Sequence, residues 1–147
     1  RVRRMELTYT SFYSRAGHYI EKTMMELYKE ALKTHGVDPD KVKYGKIVDE
    51  LGVAGRKGKE YEVDFYEVND NEIYLFEVKN YGDEGAIYQL QKRKAVFESL
   101  GKKVTKMYLV CNMTSDKEKE EIESEGIVVI AGAVTPTSKK RSRRSKK

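Results

Sequence analysis

The runs YEVDFYEV, residues 61–68, and EIYLFEVK, residues 72–79, decide the fold. Both are rich in Val, Tyr, Phe and Ile, and Asn69, Asp70 and Asn71 lie between them. Strand formers on either side of turn formers predict a β-hairpin. A two-residue turn at Asp70 and Asn71 would set Val68 opposite Ile73, Tyr66 opposite Leu75, Asp64 opposite Glu77 and Glu62 opposite Lys79. Side chains alternate along a strand, so these eight would share one face. The other face would then pair Val63 with Val78 and Phe65 with Phe76, an apolar core surface. A slip of one residue would exchange the two faces.

Working outward, residues 10–34 carry a helical period. Ala16, Ile20, Met24 (or Thr23), Leu27 and Ala31 recur at three- and four-residue steps, which predicts the inner stripe. Thr10 or Ser11 is the expected cap, and Gly36 the stop. A short strand is expected around Ile47, followed by the Gly- and Lys-rich loop AGRKGK. After the hairpin, residues 86–100 read as a second helix with Ala86, Leu90, Phe97 and Leu100 inward and Gly101 at its end. VTKMYLVC is a strand, TSDKEKEEIESE a short charged helix closed by Gly126, and IVVIAG a last buried strand. A short helical crossover between the last two strands implies that they run parallel. The expected fold is α/β, a mixed β-sheet flanked by helices in the order αβββαβαβ. Residues 1–10 form a basic lead-in, 11–133 one domain, and 134–147 a basic flexible tail.

The chain has 147 residues, 39% of them hydrophobic, 10% aromatic and 36% charged. It is too apolar and aromatic for a disordered chain, and of a size for one core. No run approaches the roughly 20 apolar residues of a membrane-spanning helix, and no apolar secretory segment opens it. Its one cysteine, Cys111, excludes an internal disulfide framework and a Cys-rich zinc site, and suits a reducing cytoplasm. The net charge of +5 is concentrated at the ends. SKKRSRRSKK, residues 138–147, holds seven Lys and Arg; without it 22 basic residues face 24 acidic ones, a net charge of −2. Without Arg1, Arg3 and Arg4 as well, 19 face 24, or −5. A basic tail on an acidic domain reads as an arm for a polyanion, or as a solvated tail.

The hairpin register has a chemical consequence. Like charges directly opposite destabilise a sheet, so Asp64 facing Glu77 calls for a partner that offsets the repulsion. A hard divalent cation such as Mg²⁺ would do so, with Lys79 reaching the same spot. Two carboxylates, a lysine and a metal-activated water suit phosphodiester hydrolysis. The alternative is an ordinary Glu62–Lys79 ion pair with Asp64 turned to solvent.

Asp64, separated by twelve residues from Glu77-Val78-Lys79 and preceded by a helix, resembles the PD-(D/E)XK nuclease superfamily. The later helix, strand, acidic helix and GIVVI are similar to archaeal members of that superfamily and, more distantly, to archaeal Holliday-junction resolvases. The resemblance covers residues 11–131. It implies a restriction-endonuclease-like core, with Asp64, Glu77 and the Val78 carbonyl as Mg²⁺ ligands and Lys79 positioning or activating water; Mn²⁺ would substitute. Glu21, in the context Gly17-His18-Tyr19-Ile20-Glu21, matches an acid that many members add from the first helix. Gln89 resembles a helix glutamine that meets substrate or bound water in some branches. Two departures stand out: Val63 replaces the motif's proline, and Arg93 stands where a RecB-like pattern would place tyrosine.

The expected function is therefore a metal-dependent nuclease, endonuclease favoured, acting on DNA, with a homodimer implied by analogy. Arg56 and Lys57 in the Gly-rich loop, Lys92 and Arg93 on the second helix, and Lys139, Lys140, Arg141, Arg143 and Arg144 in the tail are the expected nucleic-acid contacts. The alternatives are a non-catalytic nucleic-acid-binding module that keeps the fold, and a protein-interaction domain.

Overall fold

The computed structural model describes residues 8–9 and 15–137, with side chains from residue 19 onward. The elements are β1 (Thr8–Tyr9), α1 (Arg15–Leu27), α2 (Lys29–Thr34), a 3₁₀ turn (Pro39–Lys41), β2 (Lys43–Asp49), β3 (Lys59–Glu67), β4 (Glu72–Gly82), α3 (Gly85–Ser99), β5 (Lys103–Ser115), α4 (Asp116–Glu123) and β6 (Ile127–Thr135). The strands form one sheet in the order β1-β2-β3-β4-β5-β6. Neighbours from β1 to β4 are antiparallel, whereas β4, β5 and β6 run parallel through the crossovers α3 and α4. The expected mixed α/β sheet flanked by helices is present. It gains β1, drawn from the basic lead-in, and β6 runs to Thr135, into the stretch read as tail.

Helices cover both faces. On one, Ala86, Ile87, Leu90, Val96 and Phe97 of α3 and Ile122 of α4 pack on Val63, Phe65, Ile73, Leu75, Leu109 and Cys111. On the other, Met24, Met25 and Leu32 of the first helices cover Tyr44, Phe76, Tyr108, Val110 and Ile130. Strand alternation sorts the side chains between the two layers. Gly36, Gly101 and Gly126 end their helices as expected, each with positive φ. Ser115 caps α4 by accepting from the Glu118 N–H at 3.1 Å. No helix among the described residues is long and apolar enough to cross a membrane.

Two expectations are overturned. The hairpin pairs Asp64 with Phe76, Phe65 with Leu75, Tyr66 with Tyr74 and Glu67 with Ile73, one residue away from the expected register. The turn is longer than two residues: Val68 N–H closes on Glu72 O at 2.9 Å around Asn69, Asp70 and Asn71. Asn69 Oδ1 accepts from Asn71 N–H at 2.9 Å, the self-bonding that favours asparagine in turns. Consequently Phe65 joins Leu75 in the α3-side core, and Asp64 joins Phe76 on the α1 side.

The inner face of the first helix also differs. Ile20 is 62% exposed and Leu27 64%, whereas Met24 and Met25 are buried and Tyr28 packs against them. At 100° per residue, Glu21 lies in the middle of that inward face, and Ile20 and Leu27 lie off it. The helix divides at Tyr28, whose Oη donates to Asn112 Oδ1 on β5 at 2.6 Å. Asn112 Nδ2 in turn donates to Asn80 Oδ1 on β4 at 2.8 Å. This chain of bonds fastens α1 to the parallel strands. Gly132 on β6 leaves the room for it, because a Cβ there would collide with the Tyr28 hydroxyl and meet the Asn112 carbonyl at 2.9 Å. Gly132→Ala should cost about 1–3 kcal/mol in urea unfolding. Combining it with Tyr28→Phe should cost less than the sum of the single changes.

Candidate active site

The candidate site forms where β3 and β4 cease to pair. Their ladder ends at Asp64–Phe76; from there β3 continues against β2 and β4 against β5. Asp64 sits in a row crossing the sheet, with Tyr44 on β2, Phe76 on β4, Tyr108 on β5 and Val128 on β6. It is the only charged member of that row and is 7% exposed. Glu77 follows Phe76 and, by alternation, takes the α3 face alongside Leu75, as does Lys79. Asp64 and Glu77 therefore do not stand directly opposite each other. The charge of Glu77 still acts on Asp64 across the seam.

The electrostatics join them nonetheless. Burial first, then the charges of Glu21 and Glu77, hold the Asp64 carboxyl well above the usual carboxylate range, with Arg93 opposing. Glu21, brought in by α1, is pushed up to about 7 by burial and by Glu62 and Glu77. Burial also raises Glu77, while Arg93 and Lys79 pull it down. The charges of Glu62 and Glu77 thus act on both Glu21 and Asp64, and that of Glu21 on Asp64, so that these acids make one another's ionisation harder.

Two cations attend them. Arg93 of α3 donates from Nε to the Glu62 carbonyl at 2.9 Å and from Nη1 to the Gln89 carbonyl at 3.2 Å. Its guanidinium also lies 5.5 Å from the centroid of the Tyr61 ring. Arg93, read from sequence as a phosphate contact, is turned inward and ties α3 to β3 beside the acids. Lys79 Nζ pairs with Asp83 Oδ1 at 3.2 Å rather than with Glu62, and the same oxygen accepts from Gly85 N–H at 3.1 Å. Gln89, one turn before Arg93, is half-buried, and its Oε1 is buried with no hydrogen-bond partner among the described residues.

Glu21, Asp64, Glu77 and Lys79 are thus linked electrostatically around one seam, with Val78 between Glu77 and Lys79 packed toward the α1-side core and Gln89 on α3 one turn before Arg93. No group of three or more His, Cys, Asp or Glu side chains converges on a single point among the described residues. Arg56, Lys57 and Lys92 are exposed. Lys139, Lys140, Arg141, Arg143 and Arg144 lie outside the described residues. Sequence reading missed the inward role of Arg93 and the Asp83 partner of Lys79. The available signals were the four-residue step from Gln89 to Arg93 beside the buried stripe, and the acidic loop straight after Lys79.

The raised carboxyls make stability depend on pH. A carboxyl that binds its proton more tightly when folded stabilises the fold below its unfolded pKa, near 4.5 for Glu21, and loses that contribution as pH rises through about 7. The metal-free protein should therefore unfold at lower urea at pH 8 than at pH 5.5. Glu21→Gln should flatten that slope and add about 1–2 kcal/mol at pH 8, allowing for solvent screening of a half-exposed group. A urea midpoint that is flat or rising over this range would contradict the clustered charges. The chain matches no family model, no curated protein and no solved structure.

Proposed function

We propose that this chain is a divalent-metal-dependent nuclease of the PD-(D/E)XK type, acting on DNA. The observation that carries the reading is the buried carboxyl of Asp64 at the point where β3 and β4 part, with Glu77 and Lys79 on the stretch of β4 just beyond it; the charge of Glu77 acts on both Asp64 and Glu21. Outside a cation or catalytic site, one buried and two half-buried acids in one field are simply destabilising when ionised.

The donor chemistry fits Mg²⁺. All the oxygens are hard, and Mg²⁺ is commonly held by one or two carboxylates with waters completing its shell. Asp64 and Glu77 would hold it with the Val78 carbonyl, and Glu21 would stand at the edge. Bound there, the ion supplies a water of lowered pKa and positive charge for the phosphoryl oxygens. Lys79 would orient the attacking water once substrate draws its ammonium from Asp83. Gln89 offers its amide to the same space from α3. Arg93 keeps the end of β3 against α3, so that Asp64 holds its place as charge changes around it.

The second reading, a non-catalytic nucleic-acid-binding module, is favoured by the acidic balance of the chain outside its ends and by the Lys79–Asp83 pair. Incubation of plasmid, linear, branched and single-stranded substrates with Mg²⁺ or Mn²⁺ separates the two. Cutting should require metal, stop with chelator, and fall at least about 100-fold in Glu77→Gln and in Lys79→Ala. Binding without cutting on every substrate, unaltered by either change, would leave the non-catalytic module.

A further inference from the structure

The loop between β2 and β3, residues 50–58, has a built shape. Asp49, buried at the end of β2, accepts from Val53 N–H at 2.9 Å through Oδ1 and from Ala54 N–H at 2.8 Å through Oδ2. Its carbonyl accepts from Gly58 N–H at 2.7 Å, closing the loop. Gly55 N–H reaches Gly52 O at 3.1 Å, and Lys59 N–H reaches Arg56 O at 3.1 Å. Gly52 has φ +74°, and a Cβ there would press on the Lys57 backbone nitrogen at 3.3 Å. Ala54 tucks against the α3-side core and pins the middle of the loop.

This rigid frame presents an unusual surface. Leu51 is 70% exposed and Val53 47%, two large apolar side chains held out into water two positions apart. Arg56, Lys57 and Lys59 follow within eight residues of Leu51, and no ion pair to Arg56 or Lys57 is present among the described residues. Scattered exposed apolar residues need no explanation. A leucine fixed on a braced loop beside a cation cluster is a different arrangement, because architectural proteins insert apolar wedges between base steps while cations hold the phosphates on either side.

Topology points the loop toward the candidate site. The β3–β4 turn at residues 69–71 lies at one end of the sheet. The β2–β3 loop lies at the other, the end toward which β4 runs through Glu77 and Lys79. From Lys59 to Asp64 is five residues of strand, about 17 Å, or roughly five base-pair steps.

We propose that the β2–β3 loop is a duplex-engaging wedge, in which Leu51 enters a base step and Arg56 and Lys57 hold the flanking phosphates. The placement relative to the cut rests on the nuclease reading; the binding does not. An anionic membrane is the other surface that takes a leucine beside cations. Two apolar side chains offer little area for insertion into a bilayer, and the carboxylate seam on the same side of the sheet favours a phosphodiester partner.

The test uses the full chain in chelator, so that cleavage plays no part, with duplexes carrying 2-aminopurine at successive positions. Binding should raise the fluorescence at one step or a neighbouring pair, reporting unstacking. Leu51→Ala should abolish that rise while keeping the wild-type thermal midpoint, since the side chain is exposed. Arg56→Ala with Lys57→Ala should reduce the slope of log affinity against log salt by about 2. No fluorescence rise at any step, or a rise and a salt slope unchanged by these variants, would overturn the wedge. So would binding to phosphatidylserine vesicles that Leu51→Ala weakens while the duplex response stays flat. A protein that unstacks the duplex but never cuts with Mg²⁺ would overturn the nuclease reading and leave the wedge standing. Cutting that is indifferent to Leu51 and to the paired change would do the reverse.

Discussion

The arrangement depends on one buried carboxylate. Asp64 occupies a row of the sheet whose other members are Tyr44, Phe76, Tyr108 and Val128. An aliphatic residue there would pack more favourably, because a lone ionised carboxylate away from water is costly and tends to take up a proton instead. The neighbourhood compounds the cost: the nearest charges that α1 and β4 contribute are further acids. Held well above the usual carboxylate range, the Asp64 carboxyl keeps its proton where an exposed aspartate would lose it. Perturbed groups gathered at a break in regular structure are a recurrent sign of chemistry.

The break itself is a matter of pairing. β3 and β4 share only four registered pairs before each continues with another neighbour. Had the hairpin zipped to its full length, Glu77 would sit behind a continuous ladder, separated from Asp64 by the sheet. Because pairing stops at Asp64–Phe76, side chains on opposite faces come within electrostatic reach at the seam. Arg93 occupies this region and bonds the Glu62 carbonyl on the stretch of β3 beyond the β4 ladder. The Tyr28–Asn112–Asn80 chain fastens the C-terminal end of α1, the helix that carries Glu21, to β4 and β5.

Much of this was legible in the sequence, and the failures have physical causes. Strand alternation, glycine stops and hydroxyl caps are local signals, so the element order from β2 onward followed from them directly. The hairpin register did not, because it depends on whether three turn-forming residues enclose two positions or three. Asn69 bonds the Asn71 N–H and enlarges the turn, and Lys103 N–H braces it by donating to Asn71 O at 2.7 Å. That brace comes from β5, more than thirty residues later, beyond any local signal. The one-residue difference exchanged the faces of the hairpin, so Asp64 and Glu77, expected opposite each other, lie on opposite faces and are linked by electrostatics alone. In α1 the apolar stripe was misleading for a related reason. Glu21 occupies the inward position that periodicity assigned to Ile20, and a pattern of apolar residues cannot announce a carboxylate in its core.

Charge imposes a last constraint on any polyanionic partner. Away from its two ends the chain is net acidic, and Glu21, Asp64 and Glu77 add negative charge around the seam. Long-range attraction of such a partner would have to originate elsewhere, and the Lys- and Arg-rich residues 138–147 carry the densest positive charge in the sequence. Orientation needs cations on a rigid frame, and the Asp49-braced loop supplies Arg56 and Lys57 at the end of the sheet toward which the seam opens. On the proposed reading, an ion held by Asp64 and Glu77 would lower the remaining repulsion, and the basic end of the sequence, the loop and the metal would act at successively shorter range on one approaching backbone.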